Sequence, residues 1–408
     1  MHNSLLQLLI INLLFIMSTS SLHPETLAIR GAKEQTAFNE HNSALFLTSS
    51  FMFDSAEAGA ALFAGESSGY TYTRTSNPTV AAFQSRVAQL EQGEAGIATS
   101  TGMAAINAIF LALLKTGDHI VASKSLFGTT VGLLNNILPQ YGIEVSFVSQ
   151  TDSNEWVKAL QANTKMLFLE SPSNPLNELA DIEKIAQIAH QHEALLVVDN
   201  SFLSPALQQP LSLGADLSVQ SATKAIDGQG RVMGGVICGK ESLINKIYLH
   251  VRTTGEVLAP FNAWILLSGL ETLYVRMEKQ CANALQIAQF LSTQPQVVNV
   301  HYTGLPNHPQ KVLVEKQQQG GGIVVAFEVR GGEQAAWQVI DKVTLFSKTA
   351  NLGDVKSTIT HPWTTTHARM APEAKLAAGI QPGLIRLSIG LEHTSDLQAD
   401  LAQALSLL

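Results

Sequence analysis

The chain has 408 residues, which is more than one hydrophobic core usually supports, so we expect two domains. Its composition, 46% hydrophobic and 14% charged, is typical of a soluble globular protein. A formal net charge of -8 and the scattered placement of Lys and Arg disfavour a nucleic acid or an anionic membrane as the partner.

The cysteines and histidines disfavour two further classes of protein. Cys238 and Cys281 are the only cysteines and form no CxxC pair, so we expect buried, reduced thiols in a cytoplasmic protein rather than a disulfide framework. The 12 histidines match no ligand spacing such as HExxH, so no metal site is expected.

The first 60 residues are predicted to lie outside the main fold. Residues 5–17 form an apolar run that is shorter than the ~20 residues of a transmembrane helix, and they lack the basic segment and cleavage site of a signal peptide. We interpret residues 1–17 as a leader that is not part of the fold, with an export signal as the alternative. Residues 18–60 are polar and irregular, which predicts an arm that packs on a neighbouring copy.

Residues 61–258 predict a large α/β domain. Short, continuously apolar runs recur along this segment and are separated by amphipathic helix patterns. Strands of a mostly parallel sheet that is covered on both faces have this signature, and chemistry is expected at their C-terminal ends. The predicted strands are 96–99, 119–123, 145–148, 166–170 and 195–199.

Residues 259–408 predict a smaller C-terminal α+β domain. It begins with one long helix pattern at 261–291. The later predicted elements are strands at 297–301, 322–329 and 384–390 and helices at 333–341 and 395–407.

A strand pattern at residues 217–220 runs directly into Ser221, Thr223 and Lys224. Two hydroxyls beside a partly desolvated amine could bind a phosphate and form a Schiff base. A lysine that ends a strand beside two ordinary hydroxyls fits these residues equally well, so this segment alone leaves both interpretations open.

Asp199 favours the first interpretation. It ends the buried run LLVVD, where a carboxylate can pair with the protonated pyridine nitrogen of pyridoxal 5'-phosphate (PLP). Because Asp199 and Lys224 follow successive strand patterns, both can face one crevice at the same edge of the sheet. The pair predicts a PLP enzyme that acts on an amino-acid substrate.

Two further segments are candidates for binding the phosphate. Gly102 and Met103 begin a helix pattern after a strand, and the backbone N–H groups at such a helix start attract anions. Tyr72 and Arg74 alternate along an extended segment and could also reach a phosphate, although an exposed polar loop fits them nearly as well.

Eight motifs in one order make the chain similar to the PLP-dependent enzymes of cysteine and methionine metabolism, the cystathionine γ-synthase-like group. The similarity runs from about residue 26 to residue 408. It implies a PLP fold-type I, aminotransferase-like architecture in a homotetramer, a dimer of dimers with shared active sites. The motifs are YTRTSNPT (72–79), STGMAAI (100–106), ESPSNPL (170–176), VVDNSF (197–202), SATK (221–224), GLETL (269–273), THPWTTTH (360–367) and IRLSIGLE (385–392).

The resemblance implies a role for each site residue. Lys224 holds the cofactor, Asp199 pairs with its pyridine nitrogen, and Phe127 stacks on its ring, so these three are the catalytic candidates. Arg386 binds the substrate α-carboxylate, with Asn351 as a second substrate-binding residue. The other cofactor-binding residues are Gly102, Met103, Ser221 and Thr223 at the phosphate, Asn174 near the phenolic oxygen, and Tyr72 and Arg74 from the neighbouring subunit.

Three positions depart from the usual family pattern. Phe127 stands where a tyrosine is usual, Gln220 where histidine is frequent, and ANLGD (350–354) where many members have SLG. The phenylalanine keeps the stacking surface and loses a hydroxyl that some members use for proton transfer.

The combined features imply a PLP-dependent γ-replacement that converts O-succinylhomoserine and hydrogen sulfide to homocysteine and succinate in methionine biosynthesis. The nearer alternatives are cystathionine γ-synthase and γ-lyase activities. The distant alternative is a non-catalytic, membrane-tethered binding protein, which only residues 5–17 suggest. The presence of both Lys224 and Asp199 argues against it.

Overall fold

The computed structural model describes residues 22–32 and 36–408, so the apolar run at 5–17 lies outside the described residues. A seven-stranded sheet has the strand order β1-β7-β6-β5-β4-β2-β3. Its strands are β1 (Ala95–Thr99), β2 (His119–Ser123), β3 (Glu144–Val148), β4 (Thr164–Glu170), β5 (Leu195–Asp199), β6 (Leu217–Ser221) and β7 (Gly235–Gly239).

The sheet is mostly parallel, which confirms the predicted α/β class. The strands from β6 to β3 pair in parallel, whereas β7 runs antiparallel to both of its neighbours, β1 and β6. The predicted ends of β2 and β5 are the observed ones. Sequence analysis missed β7, a short strand with glycine at each end.

Helices cover both faces of this sheet. The helices of this half of the chain are α1 (Pro24–Arg30), α2 (Ala56–Ala64), α3 (Pro78–Glu91), α4 (Gly102–Leu113), α5 (Gly128–Gly132), α6 (Ser153–Ala159), α7 (Ile182–Gln191), α8 (Ser204–Leu207) and α9 (Glu241–Thr254). Because side chains of a strand alternate between faces, Ile120 and Ala122 pack with α4 and α9 while Val121 packs with α6 and α7. Both faces are therefore buried, as continuous apolar runs predict.

A five-stranded sheet follows, with the order β10-β11-β12-β9-β8. Its strands are β8 (Val297–His301), β9 (Val324–Val329), β10 (Ser347–Lys348), β11 (Thr358–Thr360) and β12 (Leu384–Ser388). The helices of this half are α10 (Pro260–Glu271), α11 (Leu273–Ser292), α12 (Lys311–Gln317), α13 (Gly332–Lys342), α14 (Pro372–Ala377) and α15 (Thr394–Leu405). A hydrophobic core that includes Phe83 of α3, Leu266 of α10 and Leu352 joins the two halves.

Two predictions about the helices were wrong. The pattern at 261–291 is two helices, because Thr272 leaves the helical conformation at φ −110° and ψ 6°. A single-residue break leaves the apolar periodicity almost intact, so the sequence pattern does not reveal it. The segment before Gly59 was predicted to be irregular, yet it contains α1 and the start of α2.

Helix α1 is anchored to the body of the same chain. Ala28 is buried, and the guanidinium of Arg86 on α3 donates to the carbonyl of Gly31 at 2.8 Å. None of the described helices is both long and apolar enough to cross a membrane. The domain boundaries that the sequence suggests, after residues 17, 60 and 258, stay predictions.

Candidate active site

The site is assembled where neighbouring parallel strands end. Glu170 ends β4 and Asp199 ends β5, and the two residues are directly paired in the sheet register. Ser221 ends the next strand, β6, and a turn closed by the backbone hydrogen bond from Lys224 to Ser221 (3.1 Å) follows it. The strand ends thus bring a carboxylate pair and a lysine to one edge of the sheet, as predicted for Asp199 and Lys224.

Lys224 is held by a residue from the distant second half of the chain. Its Nζ donates to Oδ1 of Asn351 at 2.6 Å, on the loop between β10 and β11. Burial, followed by the charge of Arg386, lowers the pKa of Lys224 to about 8, while Asp199 opposes the shift. An amine with this pKa is readily deprotonated near neutral pH, which is the form that attacks a carbonyl.

Asp199 is a buried carboxylate that accepts hydrogen bonds from a residue close to it in the sequence. Its Oδ1 accepts from the backbone N–H of Ser201 at 3.0 Å and from the Ser201 hydroxyl at 2.6 Å. Burial raises the pKa of Asp199, whereas the bonds from Ser201 and the charge of Lys224 oppose that rise. Among the described residues no hydrogen bond is made to its other oxygen, which is the atom available to a cationic ring nitrogen.

Arg386 lies in the middle of β12 and is buried. Its Nη1 donates to Oδ1 of Asn174 at 3.1 Å and its Nη2 to the carbonyl of Ala350 at 2.6 Å. Burial lowers the pKa of Arg386 to about 10, and Glu170 opposes the change, so the guanidinium stays charged at neutral pH. Its Nε is buried and has no hydrogen-bond partner among the described residues. A guanidinium with an unused donor is suited to bind a carboxylate.

The start of α4 lies against the end of β6. A methylene added at Gly102 would come within 2.7 Å of Cβ of Ser221, so only glycine allows this approach. The hydroxyl of Thr101 caps the helix by accepting from the N–H of Ala104 at 3.0 Å. The N–H groups of the first turn, at Gly102 and Met103, belong to a helix start that lies against Ser221, and helix starts of this kind bind anions.

Thr223 and Met103 have contacts of their own. The hydroxyl of Thr223 exchanges hydrogen bonds with the backbone of Gly234, at 3.1 Å from its N–H and 3.3 Å to its carbonyl. Met103 Sδ accepts from the hydroxyl of Thr130 at 3.7 Å. Both side chains are therefore engaged within the chain, Thr223 with the residue that precedes β7 and Met103 with α5.

Phe127 is tied to Glu170, a residue that sequence analysis did not assign. The backbone N–H of Phe127 donates to Oε2 of Glu170 at 2.8 Å. Burial, followed by the neighbouring charge of Asp199, raises the pKa of Glu170 well above its usual value, and Phe127 and Arg386 oppose the shift. The signal for it was present in ESPSNPL, where an acidic residue ends a buried strand.

Tyr72 and Arg74 have different surroundings. Tyr72 is 44% exposed, and the Arg74 guanidinium lies over its ring at 5.6 Å from the centroid. Arg74 also donates to the carbonyl of Arg252 near the end of α9. Among the described residues, the side chains of Tyr72 and Arg74 thus contact each other and the end of α9, unlike those of the residues around Lys224.

These features fit PLP. The site offers an amine of lowered pKa, a carboxylate for a ring nitrogen, a helix start for a phosphate and an arginine with an unused Nε for an amino-acid carboxylate. A side chain at Gly102 would fill the space between the helix start and Ser221, so the glycine is what brings these two candidate phosphate-binding groups together.

Comparison with known proteins gives the same result. An O-succinylhomoserine sulfhydrylase from Pseudomonas aeruginosa is 50% identical over 384 residues, which are 94% of this chain and 95% of the relative. An L-methionine gamma-lyase from Porphyromonas gingivalis is 42% identical over 386 residues, with coverage of 94% and 97%.

Solved structures share the fold over nearly the whole chain. A cystathionine gamma synthase from Xanthomonas oryzae pv. oryzae, in complex with aminoacrylate and cysteine, superposes with a TM-score of 0.90 at 37% identity, over 94% of this chain and 98% of that one. A Campylobacter jejuni structure that contains N'-pyridoxyl-lysine-5'-monophosphate superposes with a TM-score of 0.91 at 35% identity, over 94% and 100%.

The family described as Cys/Met metabolism PLP-dependent enzyme matches residues 25–406, close to the range that the sequence motifs indicated. The chain belongs to this family of PLP-dependent enzymes.

Proposed function

We propose that the protein catalyses γ-replacement on O-succinylhomoserine, with hydrogen sulfide as the nucleophile and homocysteine and succinate as the products. The observation that carries this proposal is the 50% identity, over 94% of the chain, to an O-succinylhomoserine sulfhydrylase. The arrangement around Lys224 and Arg386 supplies what such a reaction needs, an amine that moves protons beside a cation that holds an α-carboxylate.

Bound PLP supplies an electron sink that stabilises negative charge at the substrate Cα. Arg386 binds the α-carboxylate with its guanidinium and is oriented by Asn174. Lys224 binds the cofactor through Nζ and, when released, removes and returns protons at the substrate. Asp199 keeps the ring nitrogen protonated through charge and a hydrogen bond, which maintains its electron demand.

The remaining roles complete the cofactor site. The hydroxyl of Ser221, helped by Thr223, and the N–H groups at the start of α4 hold the phosphate, and Phe127 stacks on the ring. Asn174 lies near the phenolic oxygen. Asn351 and the loop at 360–367 lie on the substrate side of Arg386, where they line the acyl pocket; Asn351 already contacts both Lys224 and Arg386.

We also propose a cytoplasmic homotetramer, a dimer of dimers in which Tyr72 and Arg74 reach the phosphate of a neighbouring copy. Large apolar side chains are exposed along the same N-terminal region: Phe38 is 91% exposed, Met52 99% and Phe63 76%. Apolar surface of this kind is normally covered by a partner. The free, reduced state of both cysteines is consistent with a reducing compartment.

The activity is tested by steady-state kcat/KM with O-succinylhomoserine or O-acetylhomoserine, each with sulfide, cysteine or no nucleophile. We expect the highest value for the succinyl ester with sulfide, because cysteine needs additional partners for its own carboxylate and ammonium. A preference for cysteine of about tenfold, or ~1.4 kcal/mol, would instead indicate a cystathionine γ-synthase. The similarity to L-methionine gamma-lyases makes elimination the second candidate, and release of a keto acid without any nucleophile would support it.

The role of Lys224 is tested by Lys224→Ala. The purified variant should bind PLP without the visible absorption of the covalent link, and kcat/KM should fall by at least about 10³-fold, because the amine is lost as anchor and proton carrier. The exposed Lys240, ahead of α9, provides the matched control Lys240→Ala, which should keep both properties. Full activity of Lys224→Ala would overturn the assignment.

A further inference from the structure

A buried acid lies behind the strand ends that form the active site. Glu91 is the last residue of α3 and has no exposed surface. Its Oε1 accepts a hydrogen bond from Nδ2 of Asn200 at 3.2 Å and another from Nε2 of Gln220. One carboxyl oxygen therefore ties together the segments that follow β5 and end β6.

The two side chains that Glu91 holds are direct neighbours of site residues. Asn200 follows Asp199, the proposed partner of the ring nitrogen, and Gln220 precedes Ser221 at the proposed phosphate position. Because a peptide unit is planar and rigid, fixing one residue restricts the adjacent one. The hydrogen bonds at Glu91 thus restrict the distance between Asp199 and Ser221.

The same network reaches a third strand end. Nε2 of Gln208 donates to Oδ1 of Asn200 at 3.1 Å and to the carbonyl of Ser171 at 2.7 Å. Ser171 follows Glu170, which holds the backbone of the ring-stacking residue. The chain of amides therefore connects the ends of β4, β5 and β6.

The surroundings of Glu91 favour its protonated form. In the part of the chain that the structure describes, the polar groups around it are the amides of Asn200 and Gln220, the hydroxyls of Ser218 and Tyr274 and the thiol of Cys238, and none of these is a cation. Oε2 of Glu91 and Oγ of Ser218 are both buried without a hydrogen-bond partner. A proton on Oε2 that is donated to Ser218 satisfies both atoms. Burial raises the pKa of Glu91 to about 8, whereas its interactions with the side chains of Asn200 and Ser218 oppose the rise.

We propose that Glu91 is a neutral, protonated acid that positions Asp199 and Ser221 for the cofactor by accepting from Asn200 and Gln220 and donating to Ser218. Its neutrality keeps a further negative charge away from Asp199, whose own charge the ring nitrogen requires. This proposal rests on the roles proposed above for Asp199 and Ser221, and it is independent of which homoserine ester and nucleophile react.

Two substitutions of Glu91 separate its possible roles. Glu91→Gln keeps an acceptor for the amides and replaces the O–H with an N–H donor, so PLP affinity of the apoprotein, measured by fluorescence titration, should stay within about threefold of wild type. Glu91→Leu has similar volume but leaves Asn200 and Gln220 without their acceptor, so PLP should bind at least about tenfold more weakly. Gln220→Met removes only one of the two hydrogen bonds to Glu91 and should lower PLP affinity by less than Glu91→Leu does.

The protonation state has a direct readout. An infrared difference spectrum, wild type minus Glu91→Gln, should contain the carbonyl stretch of a protonated carboxylic acid at neutral pH. A carboxylate band in its place would overturn the proposal, as would a Gln variant that binds PLP as poorly as the Leu variant. If Glu91→Leu binds PLP with normal affinity, Glu91 is a purely structural residue. If the Leu variant does not fold, normal PLP affinity of Gln220→Met leads to the same conclusion. None of these outcomes depends on turnover, so a different substrate would leave them unchanged.

Discussion

At the scale of single residues, His367 is a buried histidine beside Arg386 that should make the fold sensitive to acid. It is 3% exposed, and burial, then the charges of Arg386 and Lys375, lower its pKa from 6.5 to about 4. The unfolded chain therefore takes up the proton first, and stability is lost as pH falls from about 6.5 towards 4. His367→Gln should reduce the loss between pH 7 and pH 5 by about 2 kcal/mol, measured by chemical denaturation of the apoprotein.

The exposed His23, ahead of α1, supplies the control for this prediction. His23→Gln should leave the pH dependence of unfolding close to that of wild type. An unchanged dependence in His367→Gln would show that the proton taken up on unfolding in this range belongs to other groups.

At the scale of elements, the close contact between the start of α4 and the end of β6 shapes the proposed phosphate site. In Gly102→Ala the new methyl group would lie 2.7 Å from Cβ of Ser221, so the helix start must move away. We expect apoprotein affinity for PLP to fall by about tenfold, because the N–H groups of the first turn lose their position. Gly132→Ala is the matched control, since its added carbon meets only the amide of Asn136, at 4.0 Å. Equal affinities of both variants would place the phosphate elsewhere.

At the scale of the whole molecule, the separation of Arg74 from the cluster around Lys224 raises the question of whether active sites are shared between copies of the chain. If Arg74 acts in the site of a neighbouring copy, Arg74→Ala and Lys224→Ala disable different halves of one shared site. Random exchange of subunits between the two inactive proteins should then restore up to about a quarter of wild-type activity, because half of the pairs are mixed and each mixed pair has one intact site. Activity is measured after exchange has been verified by mass spectrometry of differently tagged chains.

Separately incubated variants, combined only at the moment of assay, provide the control for the mixing experiment. Their activity should stay at the level of the single variants. If exchange is complete and no activity is recovered, the residues around Lys224 and Arg74 act only within their own chain. The proposed sharing of sites would then be wrong.

Much of the site chemistry could be predicted from the sequence alone, because the residues that carry it lie in short contiguous segments. Continuous apolar runs marked β2 and β5 with their observed ends, and the segments that follow two strand patterns supplied Asp199 and Lys224 as candidates, which the structure brings to one edge of the sheet. The order of motifs identified the family, and the match of residues 25–406 confirms it. Periodicity and residue chemistry act over a few positions, so they are readable without coordinates.

Only the tertiary structure decided which distant residues meet. Asn351 reaches Lys224 across 127 positions, and Arg386 reaches Asn174 across 212. The register that places Glu170 beside Asp199 follows from the pairing of β4 with β5, which no pattern within either strand specifies. Contacts of this kind depend on how whole elements pack against each other, and that packing also sets the burial that shifts the pKa of each group in the site.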